Sequence, residues 1–413
     1  MSKKEILRAG AARVDITPPA GIRLPQYNRK RPSRGIHDPL CARAVALEAS
    51  GARVAMVACD LIQWSSPHVR DTAKERLDIS HLLICASHTH SGPAPDDTSE
   101  AQGKLPYTEF VEQSMIESLE QACDRMFPAR ICAGYGNRLP ALGYHRLQMQ
   151  ADGHKRALWR DEERLPYGPV DPEVGVIRID DGQGSPRVIL MSYACHPVVN
   201  GINLEVSADY PGAATRIVED HFGGGLICLF VQGACGDINP LFRSPGPGPD
   251  GEPATDYGQM ERMGSLLAGE VVRVAGEIAP LHGDESRLGV MDAQMAFRGR
   301  FEPDATHAVG ITTLLLGDAI AIASFPGEPF SKFQTDWKRQ PDVRFPFFFG
   351  YTYSCGGEWP HYVADIRSAA YGGYGADSAE DALEIGAGEA IMNRHLEHVY
   401  RLKGIVRDSP GPP

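Results

Sequence analysis

Short, continuous apolar runs rich in β-branched residues alternate along the chain with longer stretches in which apolar positions return every three or four residues. The runs predict strands over Arg53–Cys59, Leu82–Ser87, Val174–Ile179, Val188–Tyr193, Leu226–Gln232, Gly310–Leu316 and Ala319–Phe325. The periodic stretches predict helices over Tyr107–Arg125, Pro211–His221, Met260–Ile278, Pro329–Trp337 and Ser378–His398. Short strands apolar on both faces and interleaved with helices predict an α/β architecture. No internal repeat or linker divides the chain, so residues 1–413 read as one domain. Two segments interrupt the pattern. The stretch 137–172, with a long loop over 143–172, is mixed in charge and lacks periodicity, and 243–256 carries four prolines that exclude regular structure. Residues 408–413 read as a tail.

Composition narrows the function. Hydrophobic residues make up 42% and charged residues 23%, enough for a sizeable core. A net charge of −12 argues against a nucleic-acid partner and against docking on an anionic membrane. No apolar stretch approaches the ~20 residues of a membrane span. The first residues carry charge with no apolar core behind them, so no secretory signal is expected. The 9 cysteines form no C-x-x-C pair and several sit in strand-like runs. Buried free thiols in a reducing cytoplasm are the simplest reading.

Candidate chemistry lies where strands end. In Cys85-Ala-Ser-His88-Thr-His90-Ser-Gly-Pro93 a strand runs into two histidines that share one side of an extended chain. They read either as a metal half-site or as two surface histidines in a turn. Tyr193-Ala-Cys195-His196-Pro197 delivers another histidine just before a breaker, structural by itself and a further ligand if the two sites converge. Ser324-Phe-Pro-Gly-Glu328 places a carboxylate where a helix begins, as a helix-dipole partner or as the third member of a His/His/Glu metal set. Trp359-Pro-His361-Tyr362-Val363, with Tyr371 and Tyr374 among glycines, suits a binding loop better than a core. The turn Val231-Gln-Gly-Ala-Cys-Gly-Asp237-Ile-Asn239-Pro240 lacks the Lys-Ser/Thr of a phosphate loop.

These motifs stand in a collinear order, together with Ala-Gly-Ala-Ala-Arg-Val-Asp-Ile-Thr-Pro-Pro (9–19) and Gly-Ile-His-Asp-Pro-Leu (35–40). That order resembles the catalytic domain of neutral/alkaline ceramidases over residues 8 to 400. The resemblance implies a mixed β-sheet core flanked by helices. It implies a Zn2+ ion held by His88, His196, Glu328 and Tyr362. It also implies that His90 and Arg146 face the substrate carbonyl and, with Tyr371 and Tyr374, form the catalytic set that stabilises the developing oxyanion; Arg138 is the alternative to Arg146. The reaction implied is amide hydrolysis by a metal-activated water. Three departures stand out. Asn239 replaces the family's serine, and neither the immunoglobulin-like C-terminal domain nor a secretory signal is expected in this chain.

The expectation is therefore a cytoplasmic zinc hydrolase that cleaves an N-acyl bond of a small soluble substrate without stable membrane association. An esterase or lactonase would use the same parts. A true ceramidase, or a catalytically silent metal-binding relative, is the alternative, and a nitrogen/oxygen donor set also accepts other divalent ions.

Overall fold

The computed structural model describes all residues except 1–5, 25, 27–30, 50, 94–99, 102–104, 162, 164, 166, 246–254, 282–286, 379–381 and 409–413. Most of the proline-rich segment 243–256, nearly all of the tail and the charged residues Glu162 and Arg164 thus lie outside the described residues.

The strands are β1 (Arg8–Asp15), β2 (Cys41–Ala49), β3 (Ala52–Cys59), β4 (His81–Ala86), β5 (Phe127–Gly136), β6 (Val174–Asp181), β7 (Pro186–Tyr193) and β8 (Ile227–Gln232), then β9 (Leu288–Arg298), β10 (Thr306–Leu316), β11 (Ile320–Ser324), β12 (Phe345–Phe349) and β13 (Thr352–Tyr353). A nine-stranded mixed sheet runs β8-β7-β6-β5-β1-β2-β3-β4-β13, and a second sheet runs β9-β10-β11-β12. The helices are α1 (Pro67–Leu77), α2 (Tyr107–Asp124), α3 (Asp209–Phe222), α4 (Tyr257–Glu277), α5 (Ser331–Trp337), α6 (Ile366–Tyr371) and α7 (Ala387–Leu402).

Side-chain alternation sorts these elements into layers. In β2, Ala42, Ala44 and Ala46 join the core beneath α1 to α4, while Val45, Leu47 and Ala49 point into a second core shared with the smaller sheet. A third core lies between the outer face of the smaller sheet and α5 and α7. The order is helix, sheet, sheet, helix. Small residues on the helix side let backbones approach closely: a Cβ added at Gly10 of β1 would meet the Ala122 carbonyl oxygen of α2 at 2.0 Å.

All seven expected strands form. The strands absent from the apolar pattern, β1 and β2 above all, are rich in alanine, a poor strand former whose pairing only a neighbour stabilises. The last helix begins at Ala387 rather than Ser378 because Gly386 adopts a left-handed backbone (φ 92°) immediately before it. The 143–172 stretch is not all loop. Leu147–Met149 pairs with Lys155–Ala157 around a turn in which the Asp152 carboxylate accepts the His154 N–H (3.0 Å), and Gly143–His145 pairs with Ile238–Pro240. No described helix is long and apolar enough to cross a membrane. All nine cysteines are free thiols.

Within the two large sheets, among the described residues, three parallel pairs set the direction of the chain: β3 with β4, β7 with β8, and β11 with β12. Loops leaving the carboxyl ends of β4, β7, β8, β11 and β12 meet at one place, where open α/β sheets put their ligands.

Helix α7 steadies one of those loops. His395 is fully buried; its Nε2–H donates to the Ser324 carbonyl (2.9 Å), and its Nδ1 meets the Thr313 hydroxyl (2.7 Å). Burial, aided by neighbouring His398, pushes the imidazole down to about 3. The folded value lies below that of the unfolded chain, so the unfolded state takes up the proton first and this contribution to stability is lost as pH falls below about 6.5. Urea unfolding at a series of pH values should show the stability gap between wild type and His395→Leu shrinking as pH drops from about 7 to 4. A gap independent of pH would remove His395 from that account.

Candidate metal and substrate site

Strand β4 ends at Ala86, and two residues later His88 turns to a left-handed backbone (φ 68°), unusual outside glycine. Convergence of the two neighbouring histidines therefore comes from a kink and not from extended alternation. The His88 Nδ1–H donates to the Ile62 carbonyl (2.7 Å), which turns Nε2 inward to within 3.2 Å of His90 Nε2. His196, two loops away, is held the same way: its Nδ1–H reaches the Ile238 carbonyl (3.0 Å). The donor nitrogens of His88, His90 and His196 lie within 4.8 Å of one another. Glu328 completes the group, with Oε2 3.3 Å from His88 Nε2 and 3.2 Å from His196 Nε2.

This donor set fits a divalent cation. Imidazoles anchored through Nδ1–H to main-chain carbonyls present Nε2 lone pairs, the usual way of fixing a ligating tautomer. Burial pushes His196 down to about 4, which keeps it neutral and able to ligate near pH 7. Tyr362 stands beside Glu328 in a parallel bridge, with Glu328 N–H donating to the His361 carbonyl (2.7 Å).

A cavity of about 430 Å³ opens over this group, lined in part by His90, His196, Arg146, Asn239, Tyr362 and Tyr374. Arg146 is 3% exposed, and its guanidinium lies 5.2 Å from the Tyr362 ring and 5.1 Å from the Tyr374 ring. Its main-chain N–H donates to the Asp237 carbonyl (2.8 Å) and Nη1 to Asn239 Oδ1 (3.4 Å); the Tyr362 hydroxyl lies close to the guanidinium, while among the described residues Nε and Nη2 make no hydrogen bond of ordinary geometry. Those buried donors point to a ligand oxygen. Tyr371 is not brought to the cavity; it ends α6 with its ring against Lys155 and Arg367. Arg138 is also outside, 3.5 Å from Glu277 on the α4 side.

Three residues outside the expected ligand and substrate-facing set hold the site together, two of them from the Val231–Pro240 turn. Gln232, fully buried at the end of β8, accepts from the Cys195 and Gly233 N–H groups and donates to the Ser87 and Cys195 carbonyls, all at 3.0–3.3 Å. One amide thus ties the residue before His88 to the residue before His196. Asp237 receives His145 Nε2 (3.0 Å), the Ser331 N–H (2.8 Å) and the Ser331 hydroxyl (3.0 Å), joining the Arg146 segment to the start of α5. Tyr351, itself left-handed (φ 56°), donates to Glu328 Oε2 (3.4 Å) and packs 4.4 Å from the His88 ring. The glycine turn allows this closeness, since a Cβ at Gly236 would meet the Glu328 carbonyl oxygen at 2.5 Å.

The model of the neutral/alkaline non-lysosomal ceramidase N-terminal region matches residues 7–255. Neutral ceramidase B of Dictyostelium discoideum is 26% identical over 292 residues, 63% of this chain and 40% of the relative. The neutral ceramidase of Mycobacterium tuberculosis is 25% identical over 242 residues, 54% of this chain and 37% of the relative. The matches thus span well under half the length of these relatives. The crystal structure of neutral ceramidase from Pseudomonas aeruginosa superposes with a TM-score of 0.75, covering 100% of this chain and 77% of that one. Its 17% identity makes this a likeness of fold.

The Gln232 bridge gives a direct test. Gln232→Leu keeps the volume but strands the buried Cys195 N–H and Ser87 carbonyl, since the Cys195 carbonyl keeps the Tyr210 hydroxyl and the Gly233 N–H keeps the Tyr193 carbonyl, at a cost of about 3 kcal/mol. The variant should melt several degrees lower and lose metal affinity although no ligand is changed. Wild-type metal content and melting temperature would show that the bridge is dispensable.

Proposed function

Because this chain belongs to the neutral/alkaline non-lysosomal ceramidase family, we propose that it is a zinc-dependent hydrolase cleaving the amide bond of a small N-acyl substrate. One observation carries the reading: a carboxylate and three imidazoles converge on the floor of a cavity whose wall presents a buried arginine with unused donors. His88, His196 and Glu328 would hold the ion, with Tyr362 beside Glu328 as the fourth candidate ligand. When bound, Zn2+ supplies Lewis acidity and makes water a nucleophile near neutral pH.

The remaining work falls to the protein's own groups. Arg146 Nε and Nη2 are placed to accept the charge that develops on the carbonyl oxygen, the term that usually dominates such catalysis. Tyr362 and Tyr374 hold that guanidinium from the side, and Asn239 fixes its outer nitrogen. His90, half-buried at the cavity floor, is the base that can relay a proton to the departing amine. An ester or lactone would be attacked by the same groups. A soluble substrate is favoured over ceramide by the charge at the entrance, where Arg160 and Arg243 stand.

Elemental analysis of the purified protein should find about one metal equivalent per chain, most of it lost in His196→Ala. Arg146→Ala should retain the metal and lower kcat by about 10²–10³ on a chromogenic N-acyl amide. Undiminished metal in the first variant, or an undiminished rate in the second, would sink the corresponding role.

A further inference from the structure

The chain carries a net charge of −12, yet above the Glu328 cluster at the floor the charged side chains lining the cavity, among the described residues, are all arginine: Arg146, Arg160 and Arg243. Arg146 lies deep and the other two stand at the mouth. Arg243 is tied to this corner through Nη1, which donates to the carbonyl of Trp159, the residue preceding Arg160. Asp161 and Asp256 sit behind, in an adjoining recess of about 190 Å³ that shares both arginines. The two arginines thus line both the recess and the main cavity, whereas the two acids line the recess alone. Beside them the wall is apolar, with Val198, Pro245, the half-exposed Ile202 (46%) and Trp159 (48%).

A cationic corner next to an apolar wall, above an amide-cleaving floor, describes an amphiphile with one acyl chain and one anionic end. Resting on the hydrolase reading above, we propose that Arg243 and Arg160 form a carboxylate subsite and that the preferred substrates are acylated amino acids. Guanidinium groups bind a carboxylate through paired, charge-assisted hydrogen bonds. The acyl chain lies along Trp159 and Ile202, and Arg146 stays with the scissile carbonyl. A neutral amide of equal length offers the arginines no carboxylate. On an acidic protein, arginines at the mouth also favour the approach of an anionic substrate.

The test compares N-hexanoyl glycine and N-hexanoyl-γ-aminobutyrate with N-hexanoyl ethylamine and N-hexanoyl butylamine, on zinc-loaded protein. Wild type should favour the acids by about tenfold or more in kcat/KM, and the preference should shrink severalfold as salt rises to about 0.5 M. Arg243→Ala and Arg160→Ala should each reduce it through KM, with Arg243→Lys keeping part. Equal rates for acids and amines, in a protein that hydrolyses both, would overturn the subsite and leave the hydrolase standing. If none is turned over by metal-loaded protein, the hydrolase reading fails, and calorimetry decides the subsite separately. Binding of N-hexanoyl glycine that weakens in Arg243→Ala upholds it, and no binding overturns it. Melting temperatures of the variants confirm that folded protein is compared.

Discussion

A single buried amide sets the distance between the two histidine loops. Gln232 is the last residue of its strand, and its side chain meets four main-chain groups that belong to three separate loops. Because an amide offers two donors and an acceptor with two lone pairs, this one is saturated by its four partners, in a place where water cannot substitute. The imidazoles that follow Ser87 and Cys195 inherit their separation from it. Glu328, Arg146 and Tyr351 are then fitted around a spacing already decided, through the Asp237 bridge, the glycine turn and the close of the smaller sheet.

Much of this was open to a reader of the sequence. Strand ends were visible because apolar runs stop abruptly at His-Pro, Gly-Pro and Pro-Gly steps, and the chemistry sits at those stops. The seven strongest strands were equally plain. The second sheet's place behind the first was not, since an apolar face carries no label saying which partner will cover it. Alanine-rich β1 and β2 were hidden for a related reason: their pairing depends on neighbours and not on their own preference. Asp152-Gly153 is a hairpin signal that the surrounding charge obscured.

The motifs of the candidate metal cluster stand out by their order along the chain, whereas their supports do not. Gln232 looks like any polar residue closing a strand, and Tyr351 like one more aromatic in an aromatic run. Asn239 drew attention as a replaced serine, yet its contact with Arg146 depends on a ladder between two three-residue segments nearly a hundred positions apart. Positioning residues are chosen by three-dimensional closure, which leaves little trace in local pattern. Tyr371 shows the converse: a motif neighbour need not be a spatial one, because the turn after α6 sends Tyr374 toward the cavity and Tyr371 away from it.

Left-handed backbone at His88, Tyr351 and His361 has a consequence for how the molecule assembles. Each conformation is costly in a free peptide and persists only where surrounding structure imposes it. A His-Thr-His segment cut from this chain would therefore not keep its shape, and the cluster cannot be transplanted as a motif. Its members, drawn from residues 88 to 362, meet only once both sheets have closed. Such long-range pairing belongs to the slow part of folding. An ion would be captured by a finished molecule and would not serve as the seed around which it forms.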